Sequence, residues 1–145
     1  MYKHLLVAID GSELARNALE QGIDLAKALN AKVTIVTVTE PWNASTVGDG
    51  MVIFPIEEYE TKITQWALET LSNAAMVAAD ATMACETIHV KKFYPADGII
   101  ETAEQKQCDL IVMGSHGRRG LTRLLLGSQA NQVVTHSTQP VLICR

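Results

Sequence analysis

The residues best placed for chemistry follow one apolar run. Leu110-Ile111-Val112-Met113 ends at Gly114, Gly117 follows after two intervening residues, and Gly127-Ser128 after nine more, giving Gly-x2-Gly-x9-Gly-Ser. Glycine lets a backbone reach positive φ and lets a ligand approach the main chain closely. A helix opening at Gly127-Ser128 offers amides without intrahelical partners and the positive end of its dipole. Phosphate suits those surroundings. Gly114 to Gly127 contains no Asp or Glu, yet it contains His116, Arg118, Arg119 and Arg123. Three of the five arginines therefore fall within fourteen residues of a chain whose net charge is −4. Local sign, rather than net charge, decides what such a segment attracts. A Gly-x2-Gly by itself also suits a plain turn, and arginines also suit a solvated face. The strand–loop–helix setting and the second Gly-Ser favour phosphate. No Gly-Lys-Ser/Thr follows, so this is not a Walker loop, and a dinucleotide fingerprint would follow the first strand instead.

Five short runs of strand type surround this segment: Leu5–Ile9, Val33–Val38, Thr87–Val90, Leu110–Met113 and Val141–Cys144. Four of them are almost continuously apolar, as expected of strands covered on both faces in a parallel sheet. Thr87–Val90 alternates polar and apolar residues, which predicts a half-exposed or edge strand. Helical patterns separate the runs. Ala15, Ala18, Leu19, Gly22, Leu25, Ala26 and Leu29 share one helical face, with Ser12 placed as its cap. Further helices are expected from Ile56 to Ala79 behind Pro55, from Pro95 onward, and from Ser128 onward. Strands alternating with helices predict an α/β, doubly wound, five-stranded parallel sheet with helices on both faces. The segments 40–54 and 114–127 both leave the carboxyl end of a strand, where doubly wound sheets bind ligands.

Composition limits the alternatives. One hundred and forty-five residues suit one domain with a real core. With 48% hydrophobic and 19% charged residues the chain is not of the disordered class. Net charge −4 and seven aromatic residues argue against a nucleic-acid binder. Cys85, Cys108 and Cys144 form no Cys-x-x-Cys pair and suggest a reducing compartment. Cys108 and Cys144 are expected to be small core residues. No apolar run of spanning length and no signal-peptide pattern occurs, so no membrane insertion and a cytoplasmic location are expected. No two histidines have metal-ligand spacing, so no protein-built metal site is expected.

Gly114-x2-Gly117-x9-Gly127-Ser128 resembles the ATP-binding motif of the universal stress protein family. Leu6-Val7-Ala8-Ile9-Asp10-Gly11-Ser12 resembles that family's first strand with its aspartate, and Pro140-Val141-Leu142-Ile143 its last strand. The resemblance spans the whole chain. It implies strand order 3-2-1-4-5, which places Asp10 and Gly114 at the ends of adjacent strands. It implies an adenine nucleotide as ligand, ATP or else AMP or ADP, with any Mg or Mn carried by the nucleotide phosphates. Ala8, Ile9 and Asp10 then border adenine and ribose, and the backbone of Val38 holds the adenine edge. Met113 and Gly114 lie beside the ribose, while Gly117, Gly127 and Ser128 take phosphate, with Arg118 adjoining. Gln129 departs from the small or apolar residue usual there. Its amide either adds a phosphate contact or faces solvent.

Other residues keep two roles open. Asp10 is a ribose acceptor or a turn residue before Gly11-Ser12. His116 is a proton shuttle or a flexible loop residue. Trp42 lies near the base or serves packing. In the implied order Val141–Cys144 is an apolar edge, which a homodimer through that strand would cover, as the resemblance also implies. The leading expectation is an adenine-nucleotide-binding stress or regulatory protein acting on an unidentified protein partner. The alternatives are a slow ATPase or nucleotidyl-transfer relative, or a nucleotide-free dimeric interaction module.

Overall fold

The computed structural model describes residues 1–42, 55–117 and 126–145. Their elements run β1 (His4–Ala8), α1 (Glu13–Leu29), β2 (Lys32–Thr39), α2 (Ile56–Asp80), β3 (Cys85–Lys91), α3 (Pro95–Gln105), β4 (Leu110–Gly114), α4 (Ser128–His136) and β5 (Val141–Cys144). The strands form one sheet in the order β3-β2-β1-β4-β5, and every pairing is parallel.

Continuous apolarity in β1, β2 and β4 reflects burial from both sides. Alternate side chains of each strand feed two cores. Leu5, Val7, Val33, Ile35, Leu110 and Val112 pack with the buried stripe of α1 and with Leu71, Ala74 and Ala78 of α2. Leu6, Ala8, Val36, Ile111 and Met113 pack with Ala96, Ile99 and Ala103 of α3 and with Ala130 and Val133 of α4. Helices thus cover both faces, as expected. β3 lies at one edge, which accounts for its alternating pattern, and β5 lies at the other. Among the described residues no helix is long and apolar enough to cross a membrane.

Local chemistry sets the helix ends. Ser12 Oγ accepts from the Ala15 amide at 3.1 Å, so Ser12 caps α1. Pro55 precedes α2, with Glu57 and Glu58 in its first turn, where a helix dipole favours acids. α3 starts with Pro95 after Tyr94, whose side chain makes no capping bond. α4 starts after Gly127, which has no side chain with which to cap. β1 stops one residue before the expected Ile9 because the chain turns there, although the Ile9 amide still donates to the Val36 carbonyl. β2 and β3 are longer than expected at both ends, because they pair from Val33–Cys85 through to Thr39–Lys91 and Lys32 of β2 pairs with His4 of β1.

At the far end of the sheet, Asp109 closes the β1–β4 pair. Its carboxylate accepts from the Lys3 amide at 2.8 Å and the His4 amide at 3.0 Å.

Candidate functional site

β1 and β4 are neighbours in the sheet, but the chain leaves them in opposite directions. β1 leads into α1 on one face and β4 leads toward α4 on the other. In a doubly wound sheet the carboxyl ends of two such strands form the switch point, where a ligand crevice is expected.

The β1 side is fixed by hydrogen bonds. Ile9 donates through its amide to Val36 at 2.9 Å, and its carbonyl accepts from Thr37 Oγ1 at 2.8 Å. Asp10 Oδ1 accepts from the Ser12 amide at 2.9 Å, forming the turn that starts α1. Gly11 sits at φ +79°, a conformation that disfavours any side chain. A Cβ there would stand 3.3 Å from the Trp66 indole of α2.

The β4 side is equally tied. The Ser115 amide donates to the Cys144 carbonyl, and the Ser115 carbonyl accepts from the Gly127 amide at 2.7 Å. Both ends of the glycine segment therefore converge on Ser115. A Cβ on Gly127 would lie 3.0 Å from the Ser115 carbonyl oxygen, and one on Gly114 3.1 Å from the Leu14 main chain. A Cβ on Gly117 would lie 2.8 Å from Asp10 Oδ2, so the two sides of the crevice nearly touch at that pair. His116 is half-buried. Its Nδ1 pairs with Ser115 Oγ at 2.9 Å, and its buried Nε2 has no hydrogen-bond partner among the described residues.

Ala8 pairs with Met113 across the β1–β4 ladder, and both are nearly buried in the floor of the crevice. Val38 lies two residues beyond the last β1–β2 pair, Ala8–Val36, and packs against α3. A Cβ on Gly98 would meet Val38 Cγ1 at 3.0 Å, so α3 approaches β2 only because residue 98 has no side chain. Ser128 is the first residue of α4, and its N-cap residue, Gly127, supplies no side-chain cap. Gln129 is exposed, and its carboxamide oxygen accepts from the Ala96 amide of α3 at 3.0 Å. Arg118, Arg119 and Arg123 lie outside the described residues.

Sequence reasoning missed three contributors. None of Ser115, Thr37 and Gly98 stands out by motif in the sequence. A polar residue in an apolar run and a glycine in a helical pattern were the available signals.

Trp42 is tied to α2. Its amide donates to Glu60 Oε1 at 3.2 Å, and Lys91 of β3 pairs with the same carboxylate. The Lys91 ammonium and the Trp42 amide hold the Glu60 carboxyl below its ordinary range. Beside them His89 Nε2 pairs with Thr39 Oγ1 at 2.7 Å. Burial, aided by the Lys91 charge, lowers the His89 pKa. The three cysteines are free thiols, and burial raises all of them, Cys108 to about 11. That suits Cys108 and Cys144 to the core rather than to reaction. Among the described residues no group of three metal-binding side chains comes together.

The family model described as Universal stress protein family matches residues 1–145. The chain belongs to the universal stress protein family. Universal stress protein YxiE of Bacillus subtilis is 37% identical over 149 residues, with 100% of both chains covered. Universal stress protein MJ0577 of Methanocaldococcus jannaschii is 30% identical over 157 residues, covering 100% of this chain and 96% of that one. A solved structure presented as the structure-based assignment of the biochemical function of hypothetical protein MJ0577 has a TM-score of 0.83 at 29% identity, covering 99% and 96% of the two chains. A crystal structure of a universal stress protein in complex with cAMP has a TM-score of 0.74 at 28% identity, covering 99% and 97%. The strand order expected from the universal stress protein resemblance is the order observed.

Proposed function

We propose that residues 1–145 form one nucleotide-binding unit that holds ATP, or its di- or monophosphate, at the carboxyl ends of β1 and β4. The observation that carries this is an α4 amino terminus preceded by Gly127, which brings no capping side chain, beside close approaches at residues 117 and 127, where a Cβ would meet Asp10 Oδ2 at 2.8 Å and the Ser115 carbonyl oxygen at 3.0 Å. Open amides and a helix dipole favour phosphate. The relative in complex with cAMP supports adenine as the base. Asp10 would accept from the ribose hydroxyls, Ala8, Ile9 and Met113 would border the nucleoside, and the main chain of Val38 would meet the adenine edge. Gly114 would border the ribose, and Gly117, Gly127 and Ser128 would meet the phosphates, with Arg118 adding charge. Any Mg or Mn would arrive on the phosphates.

The protein would act by population shift, the nucleotide favouring one conformation toward a protein partner. Calorimetric titration of nucleotide-stripped protein with ATP, ADP and AMP tests binding. Heat with at least one is expected, and none with any would remove the proposal. Steady phosphate release that scales with protein and vanishes in Asp10→Ala would replace a binding protein with an ATPase.

A homodimer through β5 belongs to the same proposal. Leu142 is 37% exposed on that edge strand, and a second copy of the strand would cover it. Sedimentation across a dilution series should show a dimer at micromolar concentration. A monomer there would remove this part.

A further inference from the structure

Gln129 is the second residue of α4, so it stands in the turn expected to meet phosphate, yet its side chain reaches to another helix. The destination explains why. α3 opens without a side-chain cap, because Tyr94 supplies no acceptor and Pro95 supplies no amide. The Asp97 and Gly98 amides turn back to the Tyr94 carbonyl, which leaves the buried Ala96 amide to be satisfied from elsewhere. Gln129 Oε1 takes that bond across 33 positions of sequence. It does for α3 what an Asp or Ser at its own N-cap would do.

The same first turn of α3 carries Gly98, which packs on Val38. One end of this turn is therefore held by the helix at the phosphate end of the crevice. The other rests on the strand that would hold the adenine edge. We infer that Gln129 is a positioning residue: it latches α4 to α3 and so fixes the distance between phosphate cradle and adenine edge. This rests on the nucleotide reading of the crevice. It assigns Gln129 no direct contact with phosphate.

Two substitutions separate latch from contact. Gln129→Ala removes the acceptor. Gln129→Glu keeps an acceptor for the Ala96 amide and places it at a helix amino terminus, which favours a carboxylate. Hydrogen exchange at the Ala96 amide reads the latch itself, and titration reads the ligand. Expected are faster Ala96 exchange and ATP binding about fivefold weaker in Gln129→Ala, the size of a lost cap, with adenosine binding unchanged. Gln129→Glu should keep Ala96 protected and bind ATP better than Gln129→Ala does. Unchanged Ala96 exchange in Gln129→Ala would overturn the latch. ATP binding no better in Gln129→Glu than in Gln129→Ala, with Ala96 protected, would overturn positioning. If the wild-type protein binds no nucleotide, the positioning role falls with the crevice reading, while Ala96 exchange still reports whether the two helices are joined.

Discussion

Asp10 and Gly117 come together from opposite sides of the crevice, and a methyl group on residue 117 would sit 2.8 Å from Asp10 Oδ2. Asp10 has little freedom to retreat, because its other oxygen holds the Ser12 amide. Gly117→Ala must therefore displace the carboxylate from where a ribose would meet it. Overpacking of this kind costs about 1–3 kcal/mol, or roughly tenfold or more in affinity. Calorimetry should show that loss for ATP, and chemical unfolding a stability loss within the same range. Unchanged ATP affinity would mean that Asp10 and Gly117 do not bracket the ligand.

Asp10 has two tasks that substitution can separate. Asn keeps an oxygen for the Ser12 amide but loses the charge that strengthens a bond from a ribose hydroxyl. Asp10→Asn should keep the wild-type unfolding midpoint and bind nucleotide about tenfold more weakly. Asp10→Ala should also lose about 1 kcal/mol of stability with the turn bond. If Asp10→Asn binds as tightly as wild type, Asp10 serves the turn alone.

Gly127 has ordinary extended backbone angles, so any strain on substitution is steric. In Gly127→Val the new side chain would press on the Ser115 carbonyl and His116 Cα, breaking the convergence that closes the segment. Chemical unfolding should report a loss of about 1–3 kcal/mol. Titration should show no measurable ATP binding. A stable variant with wild-type affinity would reduce the motif to a turn.

His89 makes stability depend on pH. Its folded pKa lies below the unfolded value of about 6.5, so the unfolded chain binds more protons near that pH. Stability should rise with pH through the window below about 6.5 and fall as acid protonates the ring. Lys91 opposes that protonation while Glu60 favours it, burial being the larger influence. Urea midpoints should drop between pH 7.5 and 5.5, and His89→Gln should flatten that drop. Equal slopes in both proteins would place the effect elsewhere.

The outline of the fold lay open in the chain because burial writes itself into residue type. Leu5, Leu6 and Val7 read as a strand covered on both faces, and all three are fully buried. Glu86-Thr87-Ile88-His89 read as an edge, and β3 is one. Ser12 read as a cap because a hydroxyl three residues before a helical amide is a local fact. Strand order was not local and came only with the family resemblance. Gln129 shows the same boundary within the site: its partner, Ala96, becomes a neighbour only once α3 and α4 share a face of the sheet. Ser115 was hidden differently, since its main chain carries the contacts and residue type says little about main-chain bonds.

Trp66 lies against Gly11, one residue past Asp10, with its ring 3.3 Å from where a Cβ would stand. The chain contains two tryptophans, and Trp42 is tied to α2 by its amide. In Trp42→Phe the tryptophan emission would come from Trp66 alone. Any shift of the turn that joins β1 to α1 would then change the colour or brightness of that light. The molecule thus carries its own optical gauge at the wall of the crevice, readable without a label.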